Sequence, residues 1–174
     1  MSRMPTKRSK PEEITPAGQL EEARLHYVLG YQLAQASIVT NLLFTQLIGE
    51  PLALRRVEYT LLTLIAENPG GSHARLARAL AVSSPNITTW IDKLEKRGFV
   101  KRRQSESDRR LQVLHATPKG LALAREATQR ILKAETSALH ALSPGERLIL
   151  AELLHKVACA RTELPNGVST ETTG

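Results

Sequence analysis

The chain has 174 residues, of which 41% are hydrophobic and only 3% aromatic, and its formal net charge is +7. This length supports one compact protomer whose core is built mainly from Leu, Ala, Ile and Val. The single cysteine, Cys159, excludes an intramolecular disulfide. No apolar run approaches the ~18 residues that a membrane-spanning helix needs, so we expect a cytoplasmic protein without membrane contact.

The positive charge is concentrated in less than a third of the chain. Residues 68–120 contain eleven Lys or Arg and four Asp or Glu, whereas the remainder is balanced. Such a basic segment is the electrostatic footprint of a protein that binds a polyanion. A solvated basic face without any partner would give the same count.

The first half of the chain predicts helices between loose ends. Residues 1–17, which are basic and proline-punctuated, and residues 162–174 predict disordered tails. Apolar residues at intervals of three or four predict one long helix over about 18–48. A second helix is predicted over 57–65, and a short one over His73–Leu80.

The second half adds a hairpin and further helices. Ser83, Ser84 and Pro85 supply a cap and a first-turn proline for a helix that ends at Gly98. Strand-like runs over 99–103 and 111–115 flank a polar turn and predict a hairpin with a basic tip. Thr117-Pro118 opens another long helix, and Ser143 with Glu146 forms a capping box that opens the last one.

The two helices joined by Ala81-Val82-Ser83 form a helix-turn-helix. The second of them has an apolar face, on which Trp90 is read as a core residue, and an outer face of short polar and cationic side chains. Such side chains suit the major groove, because Asn and Thr address base edges and Lys reaches guanine or phosphate. The hairpin adds Arg102, Arg103, Arg109 and Arg110 next to it, where they could straddle the DNA backbone and minor groove.

Several motifs closely resemble the multiple-antibiotic-resistance regulator (MarR) family. They are Leu76-Ala77 through Ser83, Ile87-Thr88, Leu94-Glu95-Lys96-Arg97-Gly98-Phe99-Val100, Ser107-Asp108-Arg109-Arg110 and Thr117-Pro118-Lys119-Gly120. The resemblance implies a bacterial homodimer with interleaved terminal helices. It also implies that Arg110 enters the minor groove while Asp108 steadies it. Two positions depart from the family pattern: Thr89, where Arg is frequent, and Arg55, where Thr is frequent.

The expected fold is therefore mainly α with a small β wing. We expect a winged helix-turn-helix domain over 52–118, flanked by an N-terminal dimerisation helix over 18–50 and C-terminal dimerisation helices over 119–161. The expected partners are a pseudo-palindromic double-stranded DNA operator and a second copy of the chain. The candidate DNA-binding residues are Ser84, Asn86, Thr88, Thr89, Lys93, Arg103, Asp108, Arg109 and Arg110.

A small aromatic or phenolic ligand is a further expectation from the resemblance. The candidate ligand residues are His26, Tyr27, Tyr31, Arg55 and Arg56, since an aromatic carboxylate needs a cation and an apolar slot. Ordinary interface and surface roles for these residues remain open. Cys159 could act as a redox switch, but it has apolar neighbours and no cation other than Lys156 at helical spacing, so we interpret it as a buried, inert thiol.

Other functions are weighed against this one. A winged-helix protein-interaction module without specific DNA binding would lack charge on the wing and recognition helix, which here hold the whole excess. No phosphate loop, nucleophile elbow or clustered metal ligands occur, so we expect no enzyme, cofactor or metal. Single-strand and RNA binding need exposed aromatic platforms, which this composition scarcely offers.

Overall fold

The computed structural model describes residues 14–105 and 110–162, and the chain divides into two compact units, residues 1–134 and 135–174. The fold is mostly helical with a small two-stranded wing, as expected. In chain order the described elements are α1 (Leu29–Phe44), α2 (Arg56–Glu67), α3 (His73–Leu80), α4 (Ser84–Lys96), β1 (Val100–Gln104), β2 (Gln112–Ala116), α5 (Pro118–Ala138) and α6 (Pro144–Cys159).

The prediction of one continuous helix over 18–48 is wrong. A 3-10 turn, Ala23–Tyr27, ends at Val28, whose backbone is extended (φ −86°, ψ 106°), and α1 begins only after it. The side-chain Nε2 of Gln32 donates to the His26 carbonyl at 2.9 Å, which stabilises the break. After Phe44 the helix widens into a π-helical turn, Thr45–Gly49, before the chain turns towards α2.

The core of the first unit lies where α2, α4 and the wing meet. Leu61 and Leu62 of α2, Ile87 of α4 and Leu114 of β2 are fully buried. Trp90 is partly buried and packs against this core, as its spacing from Ile87 predicts. Burying such side chains contributes about 1.5–3 kcal/mol each, so the core fixes the orientation of α4.

The wing is an antiparallel pair in which Val100 lies opposite Ala116 and Arg103 opposite Val113. Both strands begin one residue later than the sequence predicts. The loop after α2 extends this sheet, because the Gly70 amide donates to the Leu114 carbonyl at 2.9 Å and the Leu114 amide donates to the Gly71 carbonyl at 3.0 Å. The wing is therefore tied to the base of the helix-turn-helix.

The second unit contains α6, which begins at the predicted capping box. The Ser143 hydroxyl accepts from the Glu146 amide at 3.3 Å, and the Glu146 carboxylate accepts from the Ser143 amide at 2.7 Å. These hydrogen bonds lower the pKa of Glu146 below its usual value. Large apolar side chains of α6 are exposed in the protomer, among them Leu148 (74%) and Leu153 (51%).

Candidate nucleic-acid interface

Helix α4 has one buried face and one open face, as the helix-turn-helix prediction requires. Ile87, Ile91 and Leu94 have no accessible surface. On the outer side Ser84, Asn86, Thr88 and Thr89 are exposed, and Lys93 is half-buried. The predicted recognition residues of α4 therefore share the outer side of one rigid helix.

The two threonines have already used their hydroxyl hydrogens. Thr88 donates to the Ser84 carbonyl at 3.0 Å, and Thr89 donates to the Pro85 carbonyl at 3.1 Å. Each hydroxyl oxygen remains an acceptor, and each side chain also carries a methyl group. Of the base edges in the major groove, these features suit the amino groups of adenine and cytosine and the methyl group of thymine.

The turn between α3 and α4 is sharp and well bonded. Ala81 adopts the left-handed conformation (φ 53°), and the Val82 amide donates to the Ala77 carbonyl at 3.1 Å. Ser72 caps α3 by accepting from the Arg75 amide at 3.3 Å. A non-glycine residue at positive φ is uncommon, and here it sets the angle at which α4 leaves α3.

The wing presents part of the predicted contact set. Arg103 and Arg110 are exposed. Asp108 and Arg109 lie outside the described residues, so the predicted Asp108–Arg110 pairing stays a prediction. Within the described part of the hairpin, Arg103 lies near the end of β1 and Arg110 lies two residues before β2, so these two exposed arginines are both near the outer end of the wing.

Arg102 does not belong with the exposed wing arginines, contrary to the expectation. Its guanidinium donates through Nη1 to Glu95 and through Nη2 to Asp92, both on α4. The Arg102 side chain is only 25% exposed. The pKa of His73, at the start of α3, is lowered mainly by burial and to a smaller extent by the positive charge of Arg102.

Arg97 likewise has an internal role that its place in a basic run did not reveal. Its Nη1 donates to the Ala53 carbonyl at 2.7 Å and its Nη2 to the Leu52 carbonyl at 3.0 Å. The guanidinium also lies 4.8 Å from the centre of the Phe99 ring and 3.9 Å from the buried carboxylate of Glu58. Arg97 thus fastens the end of α4 to the loop before α2.

The start of α5 packs directly on the chain that leaves α4. The Thr117 amide donates to the Phe99 carbonyl at 2.9 Å, and the Thr117 hydroxyl donates to the Gly98 carbonyl at 2.7 Å. That hydroxyl also accepts from the Gly120 amide at 3.0 Å, which confirms Thr117 as a cap. Lys119 lies 4.9 Å from the Phe99 ring centre and donates to the Arg97 carbonyl.

The predicted ligand residues fall into two groups. Glu22 accepts from the Tyr31 hydroxyl at 2.9 Å and lies 2.9 Å from His26 Nδ1. The bonds from His26 and Tyr31 lower the pKa of Glu22, whereas burial and the bond to Glu22 raise the pKa of Tyr31. Tyr27 is 77% exposed, with its ring edge-on to His26.

The two arginines of the predicted ligand set lie further along the chain. Arg56 donates to the Thr40 carbonyl at 3.1 Å and lies over the Phe44 ring. Thr40 lies nine positions after Tyr31 on α1, which is about 13.5 Å along the helix. Arg55 precedes α2, and its backbone amide donates to Glu58 at 3.1 Å. Within one protomer the five residues therefore do not meet in one site.

A cleft of about 300 Å³ opens between α2 and α5. Polar, charged and apolar side chains all line it, namely Thr63, Ala66, Glu67, Leu121, Ala124, Arg125, Thr128 and Gln129. Among residues 14–105 and 110–162, the Thr63 hydroxyl is the one buried side-chain oxygen or nitrogen without a hydrogen-bond partner. The sequence prediction named none of these residues.

Cys159 is exposed, so the prediction of a buried thiol is wrong for the protomer. Its Sγ lies 3.6 Å from His155 Nε2, four residues earlier on α6. The apolar neighbours of Cys159 suggested burial, but the apolar face of α6 is itself open in the protomer.

None of the described helices is both long and apolar enough to cross a membrane.

Comparisons with known proteins agree with this geometry. A family model described as "MarR family" matches residues 54–111. A Thauera aromatica protein named as a transcriptional regulatory protein for the hcr operon is 31% identical over 140 residues, which cover 80% of this chain and 84% of that protein.

Solved structures extend the likeness. The transcriptional repressor CouR bound to a 23-mer DNA duplex has a TM-score of 0.71 and 30% identity, covering 81% of this chain and 99% of that one. CouR from Rhodococcus jostii RHA1 bound to p-coumaroyl-CoA has a TM-score of 0.67 and 24% identity, covering 75% of this chain and 91% of that one. The chain belongs to the MarR family of transcriptional regulators.

Proposed function

We propose that this protein is a homodimeric repressor that binds a pseudo-palindromic DNA operator and is released by a small ligand. The observation that carries the proposal is the outer face of α4, where Asn86, Thr88 and Thr89 are exposed while Ile87, Ile91 and Leu94 on the inner face are fully buried. A helix anchored in this way keeps its outer side chains in place when it enters the major groove. Regulators of this family are generally non-enzymatic, and we propose that this one acts by binding alone.

The wing supplies the second part of the proposed interface. Arg103 and Arg110 are exposed at the outer part of the hairpin. We assign phosphate or minor-groove contacts to them and to Arg109, with Asp108 orienting Arg110. Ser84 and Lys93, at either end of the outer face of α4, are assigned to phosphate or guanine contacts.

The proposed dimer is supported by apolar surface that the protomer leaves open. On α1, Leu29 is 71% and Ile38 60% exposed, and on α6, Leu148 is 74% and Ile149 57% exposed. Soluble monomers rarely expose large contiguous apolar patches. Burial against a second copy would remove this surface from water and place two recognition helices about one DNA turn, ~34 Å, apart.

The proposed ligand is a small aromatic or phenolic acid. The volume of the cleft between α2 and α5 lies at the lower end of the usual range for ligand sites, about 300–1,000 Å³, and Arg125 is a cation among its lining residues. A second proposed ligand site is one that the partner subunit completes in the dimer. Its residues in this protomer are His26, Tyr27, Tyr31, Arg55 and Arg56. The R. jostii CouR structure holds p-coumaroyl-CoA, an aromatic acid thioester.

The test is a salt titration of binding to the DNA upstream of the protein's own gene, with a scrambled duplex of equal length for comparison. A specific regulator binds the native duplex at least about 10³-fold more tightly. Arg110→Ala should lower this affinity and reduce the log–log salt slope by about 1.8, because each of the two subunits loses one phosphate contact and each contact accounts for about 0.9. Lys156→Ala, which removes the same charge from α6, is the matched control and should leave both unchanged.

Equal, weak binding of both duplexes would contradict a specific operator upstream of the gene. In that case selection from a random-sequence duplex pool shows whether the protein prefers any DNA sequence at all. An unenriched pool would favour the protein-interaction module instead. Release is tested separately, by adding aromatic carboxylates to the complex; failure of all of them to release DNA would contradict the ligand proposal alone.

A further inference from the structure

We propose that Arg102 is a positioning residue for DNA recognition: it docks the wing onto α4 by bridging two carboxylates, offsets one of their two negative charges, and makes no phosphate contact itself. The inference rests on the proposed function, because it concerns how the two DNA-contacting elements are held together. The charge pattern of the wing alone groups Arg102 with the arginines that contact DNA, and the inference removes it from that group.

The geometry joins three points on two elements. Asp92 and Glu95 are three residues apart on α4, so their side chains lie on one side of the helix. The Arg102 guanidinium spans them, one nitrogen to each carboxylate. The Arg102 backbone amide adds a third interaction with Glu95, at 3.4 Å from Oε1. Strand β1 is therefore held to α4 by both main chain and side chain.

Arginine is suited to this task where lysine is not. A planar guanidinium has several donors in a fixed fork and bridges two acceptors at once, whereas an ammonium is a point charge on a flexible stem. Both terminal nitrogens of Arg102 are committed to the carboxylates. Neighbouring side chains alternate across a strand, and the adjacent Arg103 is exposed, so the two arginines have different surroundings.

The charges show why the pairing matters for DNA. Asp92 and Glu95 carry two negative charges on the helix proposed to enter the groove, and the Arg102 charge offsets one of them at close range. His73, beside the cluster, has a lowered pKa and adds little positive charge near neutral pH. Without Arg102, both carboxylates would stand uncompensated near the phosphates, where like charges repel.

The test is a charge exchange that keeps the net charge of the protein. Arg102→Gln and Arg102→Glu are each compared with the double variant Glu95→Arg/Arg102→Glu. Binding is measured to the duplex that the wild-type protein selects from a random-sequence pool. We expect at least about tenfold weaker binding for Arg102→Gln, still weaker binding for Arg102→Glu, and recovery to within about fivefold of wild type for the exchange.

A residue that contacts phosphate would behave differently. Arg103→Gln is the neighbouring control: it should weaken binding and lower the salt slope, and Glu95→Arg should not rescue Arg103→Glu. If the Glu95→Arg/Arg102→Glu exchange binds as weakly as Arg102→Glu alone, the positioning role is overturned.

A measurement without DNA separates this inference from the proposed function. Hydrogen exchange of β1 amides in the free protein should be fast in Arg102→Gln and Arg102→Glu and slow again in the exchange variant, whatever the protein binds. Arg103→Gln should leave that exchange unchanged. Equal protection of β1 in wild type and Arg102→Gln would show that Arg102 does not dock the wing.

Discussion

Gly120 offers a direct test of how α5 is joined to the DNA-binding unit. A Cβ at this position would lie 2.0 Å from the Phe99 carbonyl oxygen and 2.9 Å from the carbonyl carbon. Ordinary contact begins at 3.4 Å, so the backbones would have to separate by 1.4 Å. Neither neighbour is a flexible side chain, and relief therefore requires α5 to move as a body.

That movement would break the bonds that hold the start of α5. The hydrogen bonds from Thr117 to the Phe99 and Gly98 carbonyls, at 2.9 and 2.7 Å, cannot survive it, nor can the bond from Lys119 to Arg97. At about 1 kcal/mol for each hydrogen bond, the loss is roughly 3 kcal/mol. The higher helix propensity of Ala returns up to about 1 kcal/mol. The net expectation for Gly120→Ala is a destabilisation of about 2 kcal/mol, or roughly 4–8 °C in Tm.

The assay is thermal and urea unfolding at fixed protein concentration, because the stability of an oligomer depends on concentration. Gly145→Ala is the matched control, since a Cβ there meets nothing within 4 Å. It should stabilise the protein by up to about 1 kcal/mol. A Tm for Gly120→Ala equal to or above that of wild type would refute the close approach of α5 to Phe99.

Two further predictions concern hydroxyl groups. Thr63→Val removes a buried hydroxyl that has no partner among the described residues and should raise the free energy of unfolding by about 1 kcal/mol. Thr60→Val is the control and should not raise it, because the Thr60 hydroxyl donates to the Arg56 carbonyl at 3.0 Å. Equal shifts in Tm for the two variants would contradict a destabilising role for the Thr63 hydroxyl. On DNA, replacing thymine by uracil in the selected duplex should weaken binding by about 0.8 kcal/mol, roughly fourfold, for each methyl that contacts Thr88 or Thr89. Thr88→Ser, measured on both duplexes, should abolish its share of that difference, and equal affinity of wild type for both duplexes would contradict methyl readout.

Local signals in the sequence predict local structure well. Ser143 and Glu146 mark the start of α6 because a capping box is complete within four residues. Thr117 is likewise identifiable as a cap, and Gly98, at φ 72°, follows α4 where a helix commonly ends. The break at Val28 escapes prediction because it depends on side chains that bind across it, which apolar periodicity does not record.

The roles of charged residues are harder to predict than the elements that carry them. Arg97 and Arg102 stand in a basic run, which indicates only a basic surface. The partners of Arg97 are main-chain carbonyls at Leu52 and Ala53, more than forty residues earlier. Spacing along a chain gives no access to such contacts. The outer face of α4, in contrast, follows from the helical period alone.

The order in which the chain is made gives the exposed face of α6 a further consequence. The core of the first unit is complete once Ala127 has been synthesised, whereas α6 continues to Cys159. At about 5–20 residues per second, translation of the intervening segment takes seconds, and helix-rich domains fold in micro- to milliseconds. The leucines of α6 therefore leave the ribosome after the first unit has had time to fold. Two such chains would then associate through α6 with their DNA-reading surfaces already formed.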